Sequence, residues 1–89
     1  MFEIYLSNAA LKALKNLDKR IVEKTKKALL TLKISPLPIK EYDIKKVEGA
    51  DDIYRLRISR YRIVYRIDWG RKEINVIKID KKDEKTYRL

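Results

Sequence analysis

Arg55, Arg57, Arg62 and Arg66 occupy alternate positions in two short apolar stretches, Tyr54-Arg55-Leu56-Arg57-Ile58 and Tyr61-Arg62-Ile63-Val64-Tyr65-Arg66-Ile67. A guanidinium is a planar fork of N–H donors that matches two phosphate oxygens, and it does not deprotonate near neutral pH. The chemistry on offer is therefore anion clamping and stabilisation of negative charge, not proton abstraction. On a strand, side chains point to opposite faces with a period of two. The two stretches thus predict a hairpin, turned at Ser59-Arg60, with one face apolar and aromatic and the other lined by arginine. Like charges across neighbouring strands repel, so such a row costs stability until something negative binds it. Nucleic-acid phosphate is the first candidate ligand, and an acidic protein partner is the second.

The rest of the composition narrows the chemistry. The 89 residues contain no histidine and no cysteine. The commonest general base, the commonest transition-metal ligand, disulfides and thiolate zinc sites are all excluded. Catalysis would have to run on Lys, Arg, Tyr, Asp or Glu, with no metal and no cofactor expected. Asp51-Asp52 and Asp83-Glu84 read as solvated turn and tail charges, because adjacent carboxylates without a further ligand are a weak metal signal. The formal net charge of +10 favours encounter with polyanions and salt-dependent nucleic-acid binding.

Length and patterning supply the elements that must hold this row. The chain reads as one domain, 1–89, with a thin core, because a chain this short buries only about 60–65% of its unfolded surface. Phe2, Ile4 and Leu6 alternate with Glu3 and Tyr5, which predicts a strand. Ser7 and Asn8 offer an N-cap, and Leu11, Leu14 and Leu17 predict an amphipathic helix over 8–17. Asp18 caps a second helix, whose buried stripe is Ile21, Val22, Thr25, Ala28, Leu29 and Leu32, with Lys24, Lys26 and Lys27 on the solvated side. The short link between the helices predicts an antiparallel helical hairpin. Pro36 and Pro38 end the second helix, and Ile34 to Tyr42 reads as an extended connection. Ile44 to Val47 is a weaker strand, and Glu48 to Asp52 is a turn. The central hairpin follows, then a turn at Asp68 to Lys72, where Trp69 packs at the sheet edge. Glu73 to Ile79 is the last strand, and the charged tail from Asp80 to Leu89 reads as a frayed terminus. No apolar run approaches the roughly 18 residues of a membrane span, and the N-terminal residues are too short and too acidic for a signal sequence, so a cytoplasmic protein is expected.

The predicted fold class is α+β: an N-terminal strand, the helical hairpin, then three or four antiparallel strands in one sheet with the helices packed on one face. Tyr54, Tyr61 and Tyr65 share the apolar phase and read as core or sheet-face residues. Arg66 reads equally as a ligand contact and as an ion-pair partner of Asp68 or Glu73.

This order of elements resembles the RelE family of bacterial and archaeal toxins, within the wider RelE/ParE superfamily. The resemblance is carried by the Leu-rich helix pair, Lys46-Val47-Glu48-Gly49, Tyr54-Arg55-Leu56-Arg57, Tyr61-Arg62-Ile63-Val64-Tyr65 and the tail Asp80-Lys81-Lys82-Asp83-Glu84-Lys85-Thr86-Tyr87-Arg88. Val47 stands where Leu is common, and Ser59-Arg60 replaces a more frequent Gly-Asp or Ser-Gly.

The resemblance implies a metal-independent endoribonuclease that cuts mRNA in the ribosomal A site by turning a ribose 2′-hydroxyl on the adjacent phosphate. It also implies a cognate RelB-like antitoxin, a toxin–antitoxin complex that is a heterotetramer, and no membrane. By the same resemblance Arg62 binds the scissile phosphate, and Tyr87 stacks on a base and helps the proton transfer. Lys81, Lys82 and Lys85 lie in the tail where relatives carry an arginine proposed as general acid. Arg55 and Arg57 fall on Lys/Arg positions, one of which is proposed as the general base. Arg60 and Arg66 would add RNA contacts. Two departures stand out: arginine replaces lysine at the base-like positions, and lysine replaces arginine in the tail. Arginine is a poor base, and lysine cannot form the bidentate fork. The rival readings are a non-catalytic RNA- or antitoxin-binding module of the same fold and a gyrase poison of the ParE branch.

Overall fold

Local signals set the helices of the computed structural model, which describes residues 1–81. Strand β1 (Glu3–Leu6) leads into α1 (Asn8–Lys15). Ser7 caps α1: its Oγ accepts from the Ala10 amide at 3.0 Å, removing one orphan N–H of the first turn. Helix α1 stops at Lys15, two residues short of the predicted end, and Asn16 closes it. Asp18 caps α2 (Lys19–Ile34) in the same way, accepting from the Ile21 amide at 3.0 Å. Ser35 is forced extended by the proline behind it, with φ −136° and ψ 104°, which ends α2 as predicted. The following segment is not extended throughout. The Pro38 carbonyl accepts from both the Glu41 and Tyr42 amides at 3.1 Å, so the chain turns there before β2 (Asp43–Lys46).

Strands β3 (Ile53–Ile58), β4 (Tyr61–Asp68) and β5 (Glu73–Lys81) complete a five-stranded sheet of order β1-β5-β4-β3-β2. The consecutive strands pair antiparallel, as short connections require, whereas β1 pairs parallel to β5. The β3–β4 turn is the two residues Ser59-Arg60, and Ser59 takes a left-handed φ of 56°. A Cβ in this region is strained. Ser59→Gly should therefore stabilise the protein by about 0.5–1 kcal/mol in urea denaturation, the relief of that strain less the extra flexibility of glycine when unfolded.

The apolar phase of the hairpin becomes the core. Leu56, Ile58, Ile63, Tyr65 and Ile67 are buried with Ile74, Val76 and Ile79 of β5, and Ala10, Ala28 and Leu32 of the helices close over them. Fully burying an aliphatic side chain stabilises by about 1.5–3 kcal/mol. The predicted α+β layering, helices over one sheet face, is the observed one. Thr25 lies on the buried stripe of α2, and its hydroxyl has no hydrogen-bond partner among the described residues. Thr25→Val keeps the shape and removes the orphaned group, so it should raise stability by about 1 kcal/mol in thermal unfolding.

Strand β5 carries one irregularity beside the arginines of β4. Its register slips between Val64 and Tyr65 of β4, where Tyr65 faces Val76 but Val64 faces Lys78, leaving Ile77 as the extra residue of a β-bulge. The bulge is held by the start of α1. Ser7 Oγ donates to the Ile77 carbonyl at 2.6 Å, and the Ser7 amide donates to the Val76 carbonyl at 3.0 Å. Past the bulge the phase of β5 is reversed, so Ile79 is buried and Asp80 turns to the open face.

Candidate nucleic-acid interface

The face of the sheet opposite the helices carries the arginines. Cross-strand pairing lines up one rung from β2 to β5 in the order Asp43, Arg57, Arg62, Asp80. The next rung is Lys45, Arg55, Val64, Lys78. Five cations thus surround two carboxylates on these two rungs.

Arg62 is fixed from the side. Its Nε donates to Asp80 Oδ1 and its Nη2 to Asp80 Oδ2, both at 3.1 Å. Lys78 Nζ adds a contact of 3.5 Å to Asp80 Oδ2. On the far flank Asp43 Oδ2 lies 3.4 Å from Arg55 Nη1 and 3.9 Å from Arg57 Nη1. The Arg55 side chain is only 14% exposed and also donates to the Asp43 carbonyl at 3.5 Å, whereas that of Arg57 is 40% exposed. Of the three arginines on these rungs, Arg57 and Arg62, directly opposed, are thus more exposed than Arg55.

The other predicted site residues separate. Arg60 is exposed in the turn, off the rungs. Arg66 is exposed on the open face but makes no ion pair to Asp68 or Glu73 among the described residues. It borders an open concavity of ≈ 720 Å³ between the 49–52 loop and the 68–70 turn, together with Asp51, Asp52, Asp68 and Trp69. That surround is acidic and does not extend the cationic surface. Trp69 does pack at the sheet edge, with its ring 5.8 Å from that of Phe2 and edge-on to it. Lys81 pairs with Tyr61 at the end of β5, so the strand alternation puts it on the face opposite Arg62 and away from the arginine pair. The expectation that the charged tail begins at Asp80 is corrected: Asp80 and Lys81 belong to β5. Lys82, Lys85 and Tyr87 lie outside the described residues.

Sequence reading missed Asp43, Lys78 and Asp80 as parts of this face. Asp43 carried a faint signal, two residues before Lys45 in strand phase. Lys78 and Asp80 carried none, because the bulge inverts the alternation that would have placed them. Among the described residues no three acidic, His or Cys side chains gather in a way that could hold a metal ion, and no helix is long and apolar enough to cross a membrane. The face can grip an anion with two forks; neither arginine can act as a base.

Two helices lie on one sheet face of this small basic α+β domain, and a paired-arginine rung lies on the other. A family model described as the ParE toxin of type II toxin–antitoxin systems, parDE, matches residues 4–86. The chain is 34% identical to the RelE1 toxin candidate of Methanocaldococcus jannaschii over 82 residues, which are 92% of this chain and 91% of that protein. The fold superposes on RelE in the archaeal RelE–RelB complex of Pyrococcus horikoshii with a TM-score of 0.85 and 27% identity, covering 93% of this chain and 97% of the other. It also superposes on a chain of the intact Escherichia coli RelBE toxin–antitoxin complex with a TM-score of 0.79 and 26% identity, covering 94% and 100%. The chain belongs to the RelE/ParE family of type II toxin–antitoxin toxins.

Proposed function

We propose that this protein is a ribosome-dependent mRNA endonuclease that cuts in the A site, inhibits translation in the cytoplasm and is silenced by a cognate RelB-like antitoxin. The observation that carries the reading is the direct opposition of Arg57 and Arg62 on the open sheet face. Cleavage by the RNA's own 2′-hydroxyl passes through a pentavalent phosphorane with charge on its equatorial oxygens. Preorganised cations at that position stabilise the transition state more than the ground state. Arg62 binds the scissile phosphate, Arg57 completes the grip, and Arg55 supports the field from the next rung. The tail residues Lys82, Lys85 and Tyr87 supply proton transfer and base stacking, a stack being worth about 1–3 kcal/mol. With no histidine in the chain and arginine at the base-like positions, removal of the 2′ proton falls to Tyr87, to a tail lysine or to ribosomal RNA. The relatives with solved structures include complexes with RelB antitoxins, which supports an antitoxin as partner; the heterotetramer is part of the proposal.

The deciding experiment adds the purified protein to ribosomes stalled on a defined mRNA and maps new 5′ ends. Cuts confined to the A-site codon carry the proposal; intact mRNA bound by a folded protein rejects the nuclease. The ParE name of the matching family model favours one second reading, a gyrase poison. A plasmid supercoiling assay with gyrase separates the two, because a gyrase poison blocks supercoiling and leaves ribosome-bound mRNA whole.

A further inference from the structure

We infer that Asp80 and Asp43 are positioning residues that hold Arg62 and Arg57 side by side as a two-guanidinium clamp for a single RNA phosphate. The inference deepens the proposed function, since it names how that site is preorganised, but it concerns binding and does not depend on cutting.

Two arginines directly opposite one another on neighbouring strands repel, and long side chains left to themselves would splay apart. Here the rung reads acid, base, base, acid: Asp43, Arg57, Arg62, Asp80. Asp80 holds Arg62 from the outer flank at 3.1 Å, and on the other flank Asp43 lies 3.9 Å from Arg57, an ion-pair distance, and 3.4 Å from Arg55. The Asp80 contact is side-on. It takes one N–H of Nε and one of Nη2, which leaves three of the five Arg62 donors for a ligand. The neighbouring rung, Lys45, Arg55, Val64, Lys78, has no acid of its own. Asp43 and Asp80 stand at the two ends of the arginine rung, Asp43 also reaching Arg55 of the next. Asp80 is not itself swamped by the fork, because Lys78 at 3.5 Å balances the charge it brings to the face. A guanidinium held in one rotamer loses little further freedom when it grips phosphate, and this is the source of the added affinity.

The test turns on a sign. If Asp80 were only a surface charge, removing it from a basic protein would tighten binding to a polyanion. If it positions Arg62, removing it loosens binding. The probe is a single-stranded RNA hexamer with every 2′-hydroxyl methylated, which cannot be cleaved, titrated into the full-length protein at 150 mM salt. Asp80→Asn is expected to raise Kd about tenfold, the worth of one charge-assisted hydrogen bond. Asp43→Asn, on the other flank, should move Kd in the same direction, and Asp80→Glu should restore most of the loss. Melting curves confirm that each variant is folded, and Asp43→Asn alone decides the matter if Asp80→Asn is not. Unchanged or tighter binding in both asparagine variants overturns the clamp, as does a wild-type protein that fails to bind the hexamer. Failure of the nuclease reading looks different: mRNA stays whole on ribosomes while the hexamer still binds and still responds to Asp80.

Discussion

Arg62→Ala is expected to slow mRNA cleavage on programmed ribosomes by about 10²–10³-fold, the scale on which losing one preorganised donor to a developing oxyanion is felt. The geometry argues for so large an effect. Among the described residues, Arg62 is the arginine of the face that donates two hydrogen bonds to a single carboxylate, which fixes the direction of its remaining donors. Alanine removes the fork and also leaves Arg57 alone on its rung. Arg62→Lys keeps the charge but cannot reproduce a bidentate grip, and should fall between the two. The fold should tolerate both changes. The Arg62 and Asp80 side chains are each about one-third exposed, at 33% and 34%, and ion pairs of this kind contribute about 1 kcal/mol or less. Asp80 is not stranded either, because Lys78 stays beside it. Rates from single-turnover mapping of 5′ ends, set against melting curves of the same samples, check the prediction. A variant that cuts at the wild-type rate removes Arg62 from the mechanism.

Tyr65→Ala should cost about 3–5 kcal/mol in urea denaturation, enough to leave an 89-residue domain marginal or unfolded. Tyr65 is fully buried at the middle of β4, and its hydroxyl donates to the Pro36 carbonyl at 2.8 Å. The residue thus ties the central strand to the chain just beyond α2, while its ring lies 6.1 Å from that of Tyr54. Tyr65→Phe retains the ring and strips only the donor, so it should cost about 1–2 kcal/mol. The pair of variants separates packing from hydrogen bonding. Burial, and secondarily the neighbouring Tyr54, holds the Tyr65 hydroxyl protonated well above the usual tyrosine range. The folded state therefore keeps its proton where the unfolded chain has lost it. The stabilisation is fully present below pH ~10, the unfolded value, and declines as pH rises past it, by about 1.4 kcal/mol per pH unit. Subtracting the alkaline profile of Tyr65→Phe from that of the wild type should isolate this slope; identical profiles would place the hydroxyl in water.

Much of this molecule was legible before any coordinates. Ser7 and Asp18 cap the two helices as their side chains suggest, because capping depends only on a short acceptor next to free amides. Proline at 36 ends α2 through a clash with its own predecessor. The two-residue turn at Ser59-Arg60 and the two-faced hairpin around it follow from strict alternation over Tyr54 to Ile67. Each of these is a local rule. The parallel pairing of β1 with β5 was not legible, since it joins Glu3 to Glu73 across the length of the chain and nothing near either residue announces the other. Arg66 shows the same limit: its neighbours in sequence suggested ion pairs with Asp68 or Glu73, and the sheet set it at the rim of an acidic concavity instead.

The sequence by itself determined the two-layer α+β architecture, the arginine-lined face and the absence of histidine or thiol chemistry, because these rest on composition, caps and a period of two. Only the tertiary structure decided which arginines lie side by side and which carboxylates flank them. The decisive event is a single extra residue, Ile77, bulged where Ser7 at the head of α1 ties down the carbonyls of Val76 and Ile77. That bulge flips the phase of β5, turns Asp80 from the core side to the open face and sets it against Arg62. It sends Lys81 to the other side. A period of two carries no memory of a slip, so the flank that holds Arg62 could be seen only once distant segments were brought together.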